Sequence, residues 1–314
     1  MMTMKQILTF IFATVLLAAC TSKEQQLRER AFVLCQYLPD TDLQETSKAF
    51  MTADFYAVLD TLFHHLPEHE AMDHEWMHYF VTSNGSTIAD YEVKEVKLVD
   101  ETHATATIQV RQKWENGEFD ENSDVEEHLL SMEKVNGLWL LSDFDGHKQD
   151  CIRHIAINRQ EEARRQAMRE YLVSEVGIHY LKGELCIPTL LIVSEKENEG
   201  ETHVWCDTWV DWYQISADTL KTVSGGNHSG CMTLKQEDGK YVVTAFEQTE
   251  DGSSFQSSAE RIFGEHLDVF QGMHSNQDIR EAARKEQLEE YVRLNQLPVR
   301  YYQDYGWPAV ELNK

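Results

Sequence analysis

The sequence predicts an α+β protein of two domains, and three observations carry that expectation. Apolar residues recur at helical spacing early in the chain and switch to near alternation after Asn84-Gly85. The same passage from a helical stretch to alternating strands occurs a second time beyond residue 158. The 314 residues exceed one ordinary domain and suit two.

Residues 7–18 form a short apolar run behind Lys5, ending in Leu17-Ala18-Ala19-Cys20. The run is too short to cross a bilayer as a helix, so residues 1–20 read as a cleaved signal segment. The tetrapeptide resembles the bacterial lipobox, and that resemblance implies acylation of Cys20 as the first residue of the processed chain. Thr21 stands where an aspartate marks inner-membrane retention, and Ser22-Lys23-Glu24 lacks the acidity of a surface-export tag. The resemblance therefore implies a lipid anchor in the outer membrane, on its periplasmic face in preference to the cell surface.

Residues 21–30 are polar and read as a tether between lipid and fold. The first domain is expected over 31–157. Ala31, Leu34, Cys35 and Leu38 make one apolar stripe, and Phe50, Phe55, Val58, Leu59 and Leu62 a second, so two helices come first. Tyr91, Val93, Val96 and Leu98, then Ala104, Ala106, Ile108 and Val110, follow the near alternation of half-buried strands. Two more strands, 129–135 and 138–144, flank Asn136-Gly137, a dipeptide suited to a tight hairpin.

The second domain is expected over 158–314. A charged helical stretch at 158–180 bridges into it, with Glu161-Glu162 one turn before Arg164-Arg165. Strand signals follow at 185–193, 202–215, 231–235 and 241–247, with Asp238-Gly239 turning the last hairpin. Helices are expected at 257–270 and 278–295.

Helices followed by an antiparallel sheet, with a last hairpin that places Trp139 two residues after Gly137 and ends in Leu141-Ser142-Asp143, resemble the secreted branch of the NTF2-like (cystatin-like cone) superfamily. The resemblance covers about residues 30–157 and implies a curved sheet around helices, without an activity. The second half carries Ser224-Gly225-Gly226-Asn227-His228-Ser229-Gly230, Asp251-Gly252-Ser253 and Tyr302-Gln303-Asp304-Tyr305-Gly306-Trp307. It resembles a domain recurring in lipoproteins of the Bacteroidales and, more loosely, a small extracytoplasmic domain of some Firmicutes membrane sensor proteases. Neither resemblance implies an activity.

The formal charge is −26. A surface this acidic repels the phosphate backbone that dominates nucleic-acid affinity, which excludes a nucleic-acid partner. It also gives no grip on anionic lipid, so membrane attachment is expected through acyl chains alone. With Cys20 acylated, Cys35, Cys151, Cys186, Cys206 and Cys231 remain, an odd number without zinc-knuckle or CxxC spacing. They are expected to act as small apolar residues.

Several patterns could carry chemistry. His74-Glu75-Trp76-Met77-His78 fits HExxH, in which two imidazoles one helical turn apart hold zinc and the glutamate activates water. Its context is poor: Val81 replaces the glycine of the extended form, and Pro67 and Gly85 leave room for only a short helix. His64, His65, His69, His74 and His78 beside Glu68, Glu70 and Asp73 could take a transition metal more loosely, with His69, His74 and His78 the leading ligands. A solvated helix end and loop is the simpler reading.

Asp120, Asn122 and Asp124 begin a calcium-loop pattern that fails at Val125 and Ser131, so an acidic hairpin tip is expected. His228 and Cys231 could form a thiol pair, although glycines bending the chain between strands explain that segment well enough. As a strand, 204–213 places Trp205, Asp207, Trp209, Asp211 and Tyr213 on one face. Flat rings beside carboxylates could form a platform for a sugar or peptide, and aromatic core packing is the plainer alternative.

Taken together, these features predict a lipid-anchored envelope protein acting as a non-enzymatic binding or scaffold module for a small ligand, a glycan or a partner envelope protein. An enzyme using the cone pocket is the alternative, and a metal-binding protein through the histidine cluster is a further one. No motif calls for a cofactor.

Overall fold

A computed structural model describes residues 22–38, 43–64, 86–114 and 126–312. The chain is α+β and divides into two compact units after Asn158. Among the described residues no helix is long and apolar enough to cross a membrane.

The first unit begins with α1 (Lys23–Leu34), where the Ser22 hydroxyl accepts the Gln25 N–H at 3.1 Å and so satisfies one of the unpaired donors of the first turn. Leu27, Ala31 and Leu34 recur at i, i+4 and i+7 and are buried. Residues 23–30 are therefore helix, and the polar tether expected over 21–30 is corrected at that point. The polar composition hides Leu27, whose burial belongs to the same stripe as Ala31.

The second helix, α2 (Ala53–His64), buries Phe55, Leu59 and Leu62. Four strands follow as an antiparallel meander in the order β1 (Ser86–Leu98), β2 (His103–Trp114), β3 (Glu126–Val135) and β4 (Leu138–Phe144). Alternation on β2 buries Ala104, Ala106, Ile108 and Val110 against the core formed with Leu34, Phe55 and Leu59. The β3–β4 turn has Asn136 at φ 52 and Gly137 at φ 84, the two positive angles that a two-residue hairpin matching strand twist requires.

Helix α3 (Lys148–Tyr171) starts ten residues before the predicted stretch and contains the division between the units. A π turn (Leu172–Val176) and a 3-10 turn (Gly177–His179) finish it.

The second unit is built on β5 (Leu185–Asn198), β6 (Glu201–Ser216), β7 (Thr219–Glu237) and β8 (Lys240–Gln248). They pair antiparallel in chain order. β9 (Tyr301–Gln303) adds parallel to the start of β7, and β10 (Val310–Glu311) pairs with β9.

One face of this sheet carries Val204, Cys206 and Val210 against Ala167, Met168, Leu172 and Val176. The opposite face meets α4 (Phe255–Phe263), α5 (Leu267–His274) and α6 (Gln277–Leu294), through a core that includes Tyr213, Leu288 and Val292.

Two expectations change here. The helix read over 257–270 is broken at Gly264, whose combination of φ +49° and ψ −115° suits glycine alone. The glycines at 225, 226 and 230 make no bend, because β7 runs straight through them. At Gly225 the reason is close approach: a β-carbon there would collide with Asp211 Oδ1.

Candidate functional site

Strand β6 is the backbone of the candidate site. Its period of two sends Trp205, Asp207, Trp209, Asp211 and Tyr213 toward the helices that end the chain. Each then meets a successive point of those helices. The Trp205 indole donates to the Ile262 carbonyl at 2.8 Å on α4. His274 at the end of α5 has Nδ1 3.0 Å from Asp207 Oδ2. The Arg280 guanidinium lies 5.6 Å over the Trp209 ring, and Arg284 reaches Tyr213 and Asp211, both from α6. Arg280 and Arg284 can do this because one helical turn, ~5.4 Å, nearly matches two strand residues, ~6.7 Å.

These contacts correct the idea of an open aromatic platform. Trp205 is bonded to α4, and Asp207 and Tyr213 are fully buried, so the part of that face that lines a cavity is Trp209 and Asp211. There a cavity of about 270 Å³ is lined by Thr189, Trp209, Asp211, Asn227, Arg280, Glu281, Arg284, Asp304 and Tyr305, with Gly225 and Gly226 at its wall. Its size falls just below the ~300–1,000 Å³ typical of ligand sites, which suits one small molecule or one sugar unit.

Arg284 organises the cavity floor. Its Nε donates to the Tyr213 hydroxyl at 3.0 Å, one terminal nitrogen to Asp304 Oδ2 at 3.0 Å and the other to Thr222 at 2.8 Å. The rings of Tyr213 and Tyr302 sandwich it, with centroids at 5.6 and 5.3 Å. Burial by itself would lower its pKa, but Tyr213, Asp211 and Asp304 outweigh that and hold it above its ordinary value.

Asp211 is only 9% exposed, yet no described residue donates a hydrogen bond to its carboxylate. Its nearest cation is Arg284, at 3.9 Å. Burial pushes the carboxyl up to about 6, Arg284 opposes the shift, and Asp304 and Glu281 add to it. Asp304 is in similar need, because its Oδ1 is buried without a hydrogen-bond partner. The Asp211 oxygens are thus the acceptors open to a ligand in the cavity, while Asp304 Oδ1 is closed off from it.

Beside the cavity stands a second polar group. Asp207 Oδ1 accepts from Asn227 Nδ2 at 2.7 Å and from the Ser229 hydroxyl at 2.6 Å, while Oδ2 takes His274. A carboxylate only accepts, so His274 donates from Nδ1 to Asp207. The histidine is 32% exposed and stacks on Phe255 at 5.3 Å.

The alternative of a His228–Cys231 thiol pair is not formed: His228 lies 2.8 Å from the Tyr180 hydroxyl and 2.7 Å from Gln248, and burial raises the Cys231 thiol to about 11. Cys35, Cys151, Cys186, Cys206 and Cys231 are all free thiols.

Cys20, His65, His69, His74, His78 and the 120–124 segment lie outside the described residues. His64 closes α2, with Nδ1 2.9 Å from Asp60. Among the described residues no three metal-donating side chains converge.

Sequence alternation marked Trp209 and Asp211, but it missed Arg280, Glu281, Arg284, Asp304, Tyr305, Asn227 and Thr189 as members of one site. The available signal was the i, i+4 spacing of Arg280 and Arg284 on one helix face.

No family profile matches the chain, and no curated protein matches it. Among solved structures it is similar to an "Ntf2 like protein involved in plasmid conjugation", at 11% identity and a TM-score of 0.23. The match covers 72% of this chain and 98% of that one, and a likeness so slight leaves function to the chemistry of the site itself.

Proposed function

We propose that this chain is a lipid-anchored protein of the bacterial outer membrane that binds a small polar ligand, such as a sugar unit of a glycan, without transforming it. The observation that carries the reading is the cavity over Trp209 and Asp211, where a nine-tenths-buried carboxylate takes no hydrogen bond from a described residue beside an aromatic ring. Holding this carboxylate largely cut off from donors costs roughly 1–3 kcal/mol. A hydroxyl-rich or charged ligand would remove that cost on binding, while its apolar face covers a ring.

Anchorage rests on the Leu17-Ala18-Ala19-Cys20 resemblance, which supports the periplasmic face of the outer membrane. The first unit reads as an NTF2-like cone on its order of two helices, then a four-stranded antiparallel meander closing on the Gly137 and Trp139 hairpin. In this reading it is a scaffold.

The test is native mass spectrometry of the protein extracted gently from its own membrane. A small adduct that is retained by the wild type and lost in Trp209→Ala supports the reading. A bare wild-type mass, with no adduct regained on adding envelope glycan fragments, sinks it.

An enzyme is the second reading, favoured by the Asp207–His274 pair. A carboxylate on Nδ1 fixes the tautomer and leaves Nε2 able to take a proton from water or a hydroxyl. Turnover of a chromogenic ester or glycoside that disappears in His274→Gln would establish it, and equal turnover by both proteins would dismiss it.

A further inference from the structure

The carboxylates of the cavity outnumber its guanidiniums, and the pairing is uneven. Asp304 holds Arg284 at 3.0 Å, and Glu281 stands 3.5 Å from Arg280. Glu281 also accepts from the Tyr302 hydroxyl at 3.3 Å. Each guanidinium thus has its own carboxylate. Asp211 is left over, with no hydrogen bond from a described residue and a cation no nearer than 3.9 Å.

This carboxylate is not a surface charge. It is nine-tenths buried, it lines the cavity, and the missing β-carbon of Gly225 is what lets it lie across β7. Asp304 Oδ1 also lacks a donor, but it is closed to solvent and so out of a ligand's reach.

A group that satisfied Asp211 would bring N–H donors and one positive charge. A neutral hydroxyl has a single proton to donate and leaves the excess charge in place. A primary ammonium has three donors and cancels it. Tyr305 adds aromatic surface, which favours a cation further, and the net charge of −26 attracts one from a distance.

We infer that the cavity selects a primary ammonium group carried on a compact hydroxylated body, the chemistry of an amino sugar, with Asp211 as its counter-ion. This rests on the reading of the cavity as a ligand site and names what that ligand must carry.

Glucosamine and glucose make the discriminating pair, because they differ only by an ammonium in place of one hydroxyl. Their dissociation constants are measured on the full chain by calorimetry at pH 7.5, for the wild type and for Asp211→Asn. The inference predicts that glucosamine binds at least tenfold more tightly than glucose to the wild type, and that Asp211→Asn reduces the ratio to about one. Equal binding of the two sugars by the wild type overturns the inference and leaves the sugar-site reading intact. A preference that persists in Asp211→Asn also overturns it, and the wild-type ratio alone remains decisive if the variant misfolds. Binding of neither sugar removes the inference and counts against the site itself.

Discussion

Burial carries the Asp211 carboxyl from 3.8 to about 6, and the direction of that shift has a consequence for stability. A pKa raised in the folded state means that folding favours the protonated form. The stabilisation is complete below the unfolded pKa and is lost as pH rises through about 6. At pH 7.5 the ionised carboxylate therefore destabilises the empty protein, by about 2–3 kcal/mol from the size of the shift. The groups facing it are Arg280, Glu281 and Arg284 from α6, Asp304 and Tyr305 from the C-terminal segment, and Tyr180 and Cys186 from the opposite side. They are common to wild type and variant, so the difference isolates Asp211. Asp211→Asn should raise the urea-unfolding free energy at pH 7.5 by about 2–3 kcal/mol and leave it nearly unchanged at pH 4. Loss of stability in the variant at pH 7.5 would show that Asp211 holds the fold together instead of serving a ligand.

Helix α6 and strand β6 meet along a row of side chains, and Arg284 is the strongest point of that row. Replacing it by alanine strands Asp304 and empties the space between Tyr213 and Tyr302, with an expected loss of about 3–5 kcal/mol. Arg284→Lys should recover little, because one ammonium cannot reach Tyr213, Asp304 and Thr222 with the geometry of a planar fork. Equilibrium unfolding of both variants checks this, and a full rescue by lysine would refute the fork. At this scale much was legible in advance: the shared face of Trp205 to Tyr213, the hairpins at Asn136-Gly137 and Asp238-Gly239, and the passage from helices to strands. Local periodicity cannot say what covers a face. Arg284 and Asp304 reach β6 from far along the chain, so the cavity was invisible even though its floor was not. The break at Gly264 and the helical start at Lys23 were hidden for a related reason. Each depends on a backbone angle or a single buried leucine that composition averages away.

For the molecule as a whole, the proposed reading combines an anchor that owes nothing to charge with a ligand site that exploits it. Cys20→Ser should remain in the soluble fraction after cell lysis, while the wild type sediments with membranes and leaves them only in detergent. Equal membrane association of both would contradict lipid attachment at that residue. The central claim, that the space over Trp209 and Asp211 is a ligand site, is open to a direct reading by amide and indole NMR. Trp205 serves as an internal control, since its indole is bonded to Ile262 under α4 while the Trp209 ring lines the cavity. Titration of the labelled protein with soluble envelope glycan fragments should shift the Trp209 indole and the Arg280 side-chain N–H and leave the Trp205 indole in place. Fragments that move neither tryptophan, or move only Trp205, would contradict the account.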